Sequence, residues 1–335
     1  MRKLASIQIV EEVNPISNAD AIEVIRVLGW RVVVKKAENF KVGDKIVYIE
    51  TDSVLPSDDE RFDFLKNCNY RVKTAVFRGQ VSQGLVFPLS ILPEGEYNVG
   101  DEVTDILRIV KYEAPIPAQL NGFAKGGYSA RVPKADETRV QTLQDIITRF
   151  KGTLFYRTEK VDGTSSAFTL EDGQFDVLGH NYSYNYDEKN VYWKMALKYD
   201  IENILRTYGK NISIKGEIIG FNIQSNKYKL ATNEYRLYVF DIWDIDNARY
   251  YDLDELEKFC EDFKLPMVPV LERNIPLIDD IDTLVEMAKG MSKVNPNTKR
   301  EGNVWRPMKE ISGINNLGRL SFKVISPDFL IKFKE

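Results

Sequence analysis

The segment 159–164 reads Glu-Lys-Val-Asp-Gly-Thr, and its Lys160 has the most distinctive chemistry in the chain. A lysine amine that has lost its proton can attack the phosphorus of a nucleotide and carry the nucleotide as a phosphoramide. The Lys-x-Asp-Gly pattern is typical of such lysines, but about one chain in fifteen of this length would contain it by chance. The alternative is structural, because Asp-Gly between two short apolar runs also predicts a hairpin turn.

Four later segments each place a charged or aromatic residue on or beside an apolar strand. They are Ile214–Gly220 with Glu217, Tyr235–Trp243 with Phe240, Glu301–Pro307 with Glu301 and Arg306, and Arg319–Ser326 with Lys323. Burial makes an unpaired charge costly, so such a charge needs a partner or a ligand. Each segment alone also has an ordinary interpretation, as a strand-end carboxylate, a core aromatic, a loop acid or a solvated edge lysine. Together with Lys160, the fixed order of segments favours a nucleotidyl-transfer site.

Composition limits the classes of function. The 335 residues suffice for two domains. The formal net charge of -4 argues against a protein covered in positive charge, but it leaves room for a local basic groove. His180 is the only histidine, which excludes most histidine-based metal sites and a Ser-His catalytic pair. The sequence has no long apolar run and no signal-like start, so we expect a cytoplasmic protein without a membrane partner. We interpret Cys68 and Cys260 as reduced core thiols.

The first hundred residues consist of short strand-like stretches. Four of them are Ile22–Val27, Trp30–Val34, Lys45–Ile49 and Gln83–Phe87, and turn signals separate them. Five or six such strands predict a small Greek-key barrel of the OB type, a fold that often binds oligonucleotides. The candidates for a phosphate-contacting strip are Arg71, Lys73 and Arg78. The alternative is a structural domain whose basic residues are merely solvated.

A Pro- and Gly-rich stretch over residues 111–135 predicts a linker. A helix should follow, with Asp136 as its cap, Glu137 in its first turn, and one face formed by Val140, Leu143, Ile147 and Phe150. Another amphipathic helix is marked by Trp193, Leu197, Ile201 and Leu205, and two more fit 252–264 and 279–290. Strands are predicted at 153–158, 165–170, 211–219, 235–243, 302–306 and 319–325.

With these motifs the sequence resembles the covalent nucleotidyltransferase superfamily of polynucleotide ligases and mRNA capping enzymes. It looks most like ATP-dependent RNA ligases of the type 5 family, over nearly the whole chain, including Arg78–Gly84 and Pro133–Arg139. The resemblance implies an α+β fold. An N-terminal OB-type β-barrel (1–110) and a linker (111–135) precede a nucleotidyltransferase domain (136–335), an ATP-grasp-like ligase domain of antiparallel sheets flanked by helices. DNA ligases and capping enzymes place an OB domain after the last lysine motif, and we expect no room for one beyond Lys323.

The resemblance also implies roles for single residues. Lys160 is the catalytic nucleophile that attacks the α-phosphorus of ATP, releases pyrophosphate and holds AMP, while Lys323 contacts the α-phosphate. The oxygen ligands of Mg2+ or Mn2+, direct or through water, are Asp162, Glu217 and Glu301. The other nucleotide-binding residues are Gly163, Phe240, which stacks on adenine, and Glu159, which accepts a hydrogen bond from the adenine amino group. The implied RNA contacts are His180, Asn181, Arg306 and Arg319.

Two positions depart from the family's pattern. Related RNA ligases often have an arginine twenty positions after the nucleophile, where this chain has His180. Neutral imidazole lacks the permanent charge of a guanidinium, so transfer of AMP to RNA relies on another cation or is slow. The last motif usually offers two lysines one residue apart, whereas only Lys323 is present here, with Ser321 and Ile325 beside it. Phosphate neutralisation therefore falls more heavily on Lys323 and the metal.

The predicted function is the joining of RNA ends in three steps, as in RNA repair. Lys160 becomes adenylylated, AMP moves to an RNA 5′-phosphate, and a 3′-hydroxyl attacks that activated phosphate. The predicted partner is a nick in an RNA duplex or an RNA/DNA hybrid, and the protein is expected to be a monomer. One alternative is a nucleic-acid-binding protein with a degenerate ligase domain, which His180 would indicate. Another is a capping guanylyltransferase, which would use GTP.

Overall fold

The computed structural model describes residues 3–112, 124–314 and 317–333, and they form two compact units. Unit 1 comprises the described parts of Met1–Pro115, Val140–Ile146 and Pro327–Glu335, and unit 2 those of Ile116–Arg139 and Ile147–Ser326. Residues 113–123 of the predicted linker lie outside the described residues. Among the helices of the described ranges, none combines the length and the apolar character needed to cross a membrane.

Unit 1 is built mainly of short antiparallel strands. They are β1 (Ala5–Ile9), β2 (Glu12–Pro15), β3 (Ile22–Val27), β4 (Trp30–Lys35), β5 (Lys45–Ile49), β6 (Ser53–Val54), β7 (Ala75–Phe77), β8 (Gln80–Ser82), β9 (Leu85–Pro88) and β10 (Val110–Lys111). The strands pair in the orders β1-β5-β9, β2-β3-β4, β7-β8 and β10-β6. Short 3-10 helices cover Lys36–Glu38, Glu60–Cys68, Leu89–Ile91 and Val140–Thr142.

The alternation of side chains explains why these strands pack. In β4, Trp30, Val32 and Val34 are buried, whereas the intervening Arg31 and Val33 are only partly buried. Successive residues of a strand face opposite sides, so one side of β4 carries the apolar surface. Its three buried residues lie in one hydrophobic cluster with residues of β3 and β5. Unit 1 therefore consists of the short paired strands that the sequence predicts.

Unit 2 contains two larger sheets. Its strands are β11 (Ala124–Gly127), β12 (Thr138–Arg139), β13 (Leu154–Lys160), β14 (Thr164–Glu171), β15 (Gln174–Leu178), β16 (Tyr182–Tyr184), β17 (Ile212–Gly220), β18 (Tyr235–Asp244), β19 (Arg249–Tyr250), β20 (Val270–Pro276), β21 (Gly302–Pro307), β22 (Ser312–Ile314), β23 (Gly318–Arg319) and β24 (Phe322–Ile325). A seven-stranded sheet has the order β11-β16-β15-β14-β17-β18-β19, and a five-stranded sheet has the order β12-β24-β21-β13-β20. Strands β22 and β23 form a separate pair.

Helices cover the larger sheet of unit 2. The α-helices within the described ranges are α1 (Gln144–Arg149), α2 (Val191–Lys198), α3 (Ile201–Tyr208), α4 (Leu253–Asp262), α5 (Ile281–Ala288) and α6 (Pro327–Phe333). Ile201 and Leu205 of α3 pack in the same buried cluster as Ile212 and Ile214 of β17. Because β17 lies inside the seven-stranded sheet, nearly all of its residues are buried. It is thus a rigid support for any side chain that it carries.

Two predicted helices differ from the structure. The helix expected from Asp136 begins only at Gln144, because Thr138 and Arg139 instead pair in parallel with β24. The helix expected across Trp193 and Leu205 is two helices, α2 and α3. Asp200 separates them with φ of 50°, a left-handed conformation that aspartate tolerates better than most residues. The two helices predicted over 252–264 and 279–290 are present as α4 and α5.

The two cysteines differ in environment. Both are free thiols, but Cys68 is exposed and Cys260 is buried in α4. The interpretation of Cys68 as a core thiol is therefore wrong.

This difference predicts selective labelling of the native protein. Cys68 should react with a thiol reagent such as Ellman's reagent, whereas Cys260 should not, because it is 4% exposed and burial raises its pKa to about 12. Absorbance titration should therefore count one thiol in the native protein and two after unfolding. Cys68→Ser is the control and should leave none reactive in the native state. Two fast-reacting thiols in the native protein would contradict the burial of Cys260.

Candidate active site

Gly163 marks the point where the chain passes from one sheet of unit 2 to the other. β13 ends at Lys160 in the five-stranded sheet, and β14 begins at Thr164 in the seven-stranded sheet. The interpretation of Asp162-Gly163 as a hairpin turn is therefore wrong. A Cβ at Gly163 would lie 2.3 Å from the carbonyl oxygen of Ile218 in β17, so only glycine fits this close approach.

We expect Gly163→Ala to lower stability by about 1–3 kcal/mol, because the added methyl group must push β14 away from β17. Gly127→Ala is a matched control, since a Cβ at Gly127 would meet nothing within 4 Å. Thermal unfolding compares the two variants, and Tm should fall for Gly163→Ala alone. Equal melting temperatures would show that β17 moves aside at no cost.

Lys160 forms an ion pair with Glu301. It lies opposite Gly302 of β21, which brings Glu301 next to it. Its Nζ donates hydrogen bonds of 2.8 and 2.7 Å to the two carboxylate oxygens, although the residues are 141 positions apart. Burial opposes a charge here, but the carboxylates of Glu301, Glu217 and Asp162 outweigh it and raise the pKa of Lys160. The amine of the free protein is therefore an ammonium ion.

Glu217 lies on β17, the strand next to β14. Its Oε1 accepts the backbone N–H of Gly163 at 3.0 Å. Burial raises the pKa of the Glu217 carboxyl to about 8, and the charge of Lys160 counteracts this only in part. Because metal ligands bind in their deprotonated form, a cation brought to Glu217 would displace a proton from it.

Lys323 adds a second positive charge near Lys160. On β24 it lies opposite Val304 of β21 and beside Arg139 of β12. Burial, together with the charges of Lys160 and Arg139, lowers the pKa of Lys323 to about 8. Cations that repel one another in a partly buried place favour the binding of an anion such as a phosphate. The structure thus brings Lys160, Glu301, Glu217 and Lys323 together as predicted from the order of the segments.

Asp162 has a partner that the sequence did not indicate. Its Oδ2 accepts a 2.7 Å bond from Lys227, and the two side chains are only 11% and 6% exposed. The backbone N–H of Asp162 donates to the hydroxyl of Tyr228 at 2.9 Å. Lys227 and Tyr228 lie between β17 and β18, where no spacing distinguishes Lys227 from the exposed Lys229 two residues later. Only the folded structure shows that Lys227 belongs to the site.

An apolar wall lies beside these charges. Phe240 is half-buried and packs against a cluster of four buried residues, which are Val161, Ile219, Tyr228 and Val268. Val161 directly follows Lys160, so the wall and the amine share one stretch of chain. A flat apolar surface of this kind suits a heterocyclic base, which stacks on aromatic rings.

The buried carboxylate of Glu159 accepts hydrogen bonds from its own set of partners. Glu159 is 1% exposed, and its carboxylate accepts bonds from the Ser292 hydroxyl at 2.5 Å and the Lys293 backbone N–H at 2.6 Å. Burial raises the pKa of Glu159, and the two hydrogen bonds counteract this in part. An ionised carboxylate has about four acceptor sites, so two bonds leave capacity for another donor. A contact between Glu159 and a base remains a prediction.

His180 and Asn181 lie at the turn between β15 and β16. His180 is exposed, and the side-chain oxygen of Asn181 accepts a 2.9 Å bond from Lys134. Within 3–112, 124–314 and 317–333, no hydrogen bond or ion pair links either residue to Lys160 or its acidic partners. Their contact with RNA stays a prediction.

Arg306 and Arg319 lie in a buried ion network instead of on an RNA-contacting surface. Arg306 donates to Glu137 at 3.0 Å, and it lies 3.3 Å from Asp241. Arg319 donates to Asp241 at 2.5 Å and also pairs with Glu310. The side chains of Arg306 and Arg319 are 3% and 9% exposed. This placement corrects their assignment as RNA contacts, because their guanidinium groups are occupied inside the protein.

The network supports the apolar wall. Arg306 also donates to the backbone carbonyl of Phe240 at 2.8 Å, and its Nε donates to Ser321 at 3.2 Å. Ser321, one of the two alternative positions for a second motif lysine, is thus bonded to Arg306.

The acidic residues are suited to a divalent ion that keeps most of its water. No three His, Cys, Asp or Glu side chains in the described part of the chain are grouped closely enough to enclose a metal. Mg2+ and Mn2+ prefer carboxylate oxygens, and Mg2+ usually binds through one or two carboxylates, several waters and substrate phosphates. Glu301 and Glu217 near Lys160 supply this donor chemistry. The residues therefore fit a hydrated ion that is shared with a phosphate ligand.

Two family models match the chain. One is described as an OB-fold domain and matches residues 4–89. The other is described as RNA ligase and matches residues 153–325. Curated proteins include no match to the chain.

Solved structures match nearly the whole chain. Naegleria gruberi RNA ligase with PPi is 37% identical, covers 100% of this chain and 99% of its own, and gives a TM-score of 0.90. A lysine-to-alanine variant of that ligase with ATP and Mn is 36% identical, with 99% of both chains covered and a TM-score of 0.90. A glutamate-to-alanine variant with AMP and Mn gives the same identity, coverage and TM-score. These matches confirm the predicted α+β fold, with an OB-type domain before a ligase domain.

Proposed function

The chain belongs to the RNA ligase family, and we propose that it joins RNA ends with ATP through AMP carried on Lys160. The observation that carries this proposal is the Lys160 amine, bonded to Glu301 and surrounded by the charges of Glu217 and Asp162. The similar Naegleria ligase binds ATP with Mn as a lysine variant, which supports the same cofactors for this chain.

In the first step, the Nζ of Lys160 attacks the α-phosphorus of ATP. The Lys160 ammonium first loses one proton to solvent, a P–N bond then forms as the bond to pyrophosphate breaks, and the nitrogen loses its second proton to solvent to give the phosphoramide. A divalent ion, Mg2+ or Mn2+, supplies positive charge that neutralises the phosphates and lowers the pKa of the amine. Glu301, Glu217 and Asp162 would hold that ion, directly or through water. Lys323 would bind the α-phosphate as a compact positive charge.

The base and ribose would lie against the apolar wall. Phe240 would stack on adenine, and Glu159 would accept from its amino group. Glu217 would also accept hydrogen bonds from the ribose hydroxyls, and Gly163 would let the backbone approach the nucleotide closely. These roles agree with the packing of Phe240 against the cluster that contains Val161, the residue after the proposed nucleophile.

In the later steps, AMP moves from Lys160 to an RNA 5′-phosphate, and a 3′-hydroxyl attacks that phosphate and releases AMP. We propose a nick in a duplex, all RNA or RNA/DNA, as the substrate. We further propose that the OB domain (1–110), linked by 111–135 to the adenylyltransferase domain (136–335), holds the nucleic acid. His180 and Asn181 at the β15–β16 turn are the proposed contacts to the RNA end.

The test follows each intermediate separately. Protein is incubated with α-labelled ATP and Mg2+ or Mn2+, and a nicked RNA duplex with 3′-OH and 5′-phosphate ends is then added. We expect labelled protein, then labelled RNA, then sealed product. Labelled protein without any joined product would favour the degenerate ligase, and labelling by GTP but not ATP would favour a guanylyltransferase. No label on the protein with either nucleotide would overturn the proposal.

Lys227→Ala should slow self-adenylylation by about 10- to 100-fold, since outer partners of metal-binding groups have effects of this size. The variant leaves Asp162 without the lysine that is bonded to it at 2.7 Å. Lys229→Ala, in the same segment but exposed, is the matched control. Label incorporation in a single turnover measures both. If the two variants react at the same rate, Lys227 has no part in the site.

A further inference from the structure

The hairpin of β7 and β8 in unit 1 is a second surface with the chemistry of nucleic-acid binding. Its strands pair Ala75 with Ser82, Val76 with Val81, and Phe77 with Gln80. Arg78 and Gly79 connect them with φ of 51° and 83°. Two positive φ angles in a two-residue connection are typical of a tight type I′ turn, which fixes the geometry of a hairpin tip.

The tip projects from the domain instead of lying on its core. Val76 and Phe77 are neighbours and therefore point to opposite faces of the hairpin. Both are nevertheless exposed, by 43% and 46%. A Cβ at Gly79 would meet nothing within 4 Å, which shows open space around the turn. Both faces of the tip are thus accessible to a ligand.

The base of the hairpin is fixed in the barrel. Ser82 is buried, and its hydroxyl accepts the backbone N–H of Val33 at 2.9 Å. The next residue, Gln83, donates its backbone N–H to Arg31 at 2.9 Å and accepts from the Tyr48 hydroxyl at 3.1 Å. A side chain on a rigid support loses little freedom on binding, so exposed residues at the tip can contribute efficiently to affinity.

The charge around the hairpin suits a polyanion. Residues 64–93 contain no Asp or Glu but include four cations, which are Lys66, Arg71, Lys73 and Arg78. This is a local excess in a chain whose formal net charge is -4. Arg71 is held by Asp52 and packs on the Tyr112 ring, so it is less available to a ligand. Arg78 sits at the tip itself and is exposed.

We propose that the tip, Val76 to Gly79, binds the RNA substrate, with Phe77 stacked on a nucleobase and Arg78 on a backbone phosphate. Aromatic stacking accepts any base, and a neighbouring cation binds the strand whatever its sequence. Such a contact suits an enzyme that must hold ends of varied sequence. The inference rests on the proposed function, since it takes RNA as the ligand, and it assigns the part of the OB domain that contacts it.

Binding of a fluorescent nicked RNA duplex to the full chain tests this, with anisotropy as the readout. Phe77→Ala and Phe77→Leu should each weaken binding by about tenfold, whereas Phe77→Tyr should bind like wild type, because only aromatic rings stack on bases. Arg78→Ala should weaken binding and reduce the slope of log affinity against log salt by about 0.7–0.9, the loss of one phosphate contact. Lys41→Ala/Val42→Ala is the matched control, since it removes an exposed cation and an exposed apolar residue from another turn of unit 1.

The outcomes separate this inference from the proposed function. Phe77 is exposed, so its variants should keep the wild-type Tm. If the Tm of Phe77→Ala or Phe77→Leu is lowered, it is compared with the Tm of Phe77→Tyr. If wild-type protein takes label from ATP but Phe77→Ala binds RNA as well as wild type does, the hairpin inference alone is wrong. If Phe77→Leu binds RNA as tightly as wild type does, the contact at this position is only apolar, of the kind made with a protein. That result would also overturn base stacking. If wild type takes no label, the proposed function fails regardless of the hairpin.

Discussion

Lys160→Ala and Lys160→Arg are both expected to lose self-adenylylation by at least about a thousandfold, because removal of a nucleophile leaves only binding and electrostatic contributions. Arginine keeps the positive charge that pairs with Glu301, yet its guanidinium stays protonated and is not a nucleophile. The arginine variant therefore separates loss of chemistry from loss of the ion pair. Intact-mass spectrometry after incubation with ATP and Mg2+ measures the attached AMP.

Lys151→Ala provides the control for this experiment. Lys151 is 63% exposed and pairs with Asp279 at 3.1 Å, so its loss removes a lysine of unit 2 without touching the acidic partners of Lys160. It should carry AMP as wild type does. If Lys160→Arg still acquires AMP at the wild-type rate, the nucleophile is another residue and the assignment of Lys160 is wrong.

Arg306→Ala should destabilise the protein by about 3–5 kcal/mol, the usual cost of breaking a buried ion pair by removing one partner. The loss leaves Glu137, whose side chain is 19% exposed, without the guanidinium bonded to it, and leaves the 5% exposed Asp241 with Arg319 as its remaining arginine partner. It also removes the donor to the carbonyl of Phe240. Chemical denaturation measures the free energy of unfolding, and ATP binding should weaken in parallel.

Arg236→Ala is the surface counterpart of this variant. Arg236 pairs with Glu234 at 2.5 Å, but the side chains are 42% and 33% exposed. Such a pair contributes less than about 1 kcal/mol. A similar loss of unfolding free energy in both variants would show that the buried Arg306 network contributes no more to stability than the exposed Arg236–Glu234 pair.

Charged residues at the ends of apolar strands made the centre of the site predictable. Lys160 ends a strand, Glu217 and Lys323 interrupt apolar strands, and Glu301 directly precedes one. A folded sheet aligns such positions even when they are far apart in sequence. The sequence carries this information because burying a charge is costly without a partner. The short strands of unit 1 were predictable for a similar reason, because the alternation of apolar and polar residues along a strand indicates which side of the strand is buried.

Other features depend on pairing between distant segments, which local patterns do not record. The helix predicted from Asp136 is displaced because Thr138 and Arg139 pair with β24, almost two hundred residues later. The family resemblance suggested RNA contacts for Arg306 and Arg319, yet Glu137 and Asp241, which pair with them, come from distant segments of the chain. Lys227 was missed because lysines on a loop look alike until the fold brings one of them to an acid.

The short link from Lys160 to Thr164 has a mechanical consequence. The strand that carries the reactive amine is connected to both sheets of unit 2, which form the two walls of the site. β13 belongs to the five-stranded sheet, β14 belongs to the seven-stranded sheet, and Gly163 lies close to β17. Those walls cannot part without straining the strand that carries the amine. The segment between β17 and β18 adds a further tie to this link, because its Lys227 and Tyr228 are bonded to Asp162.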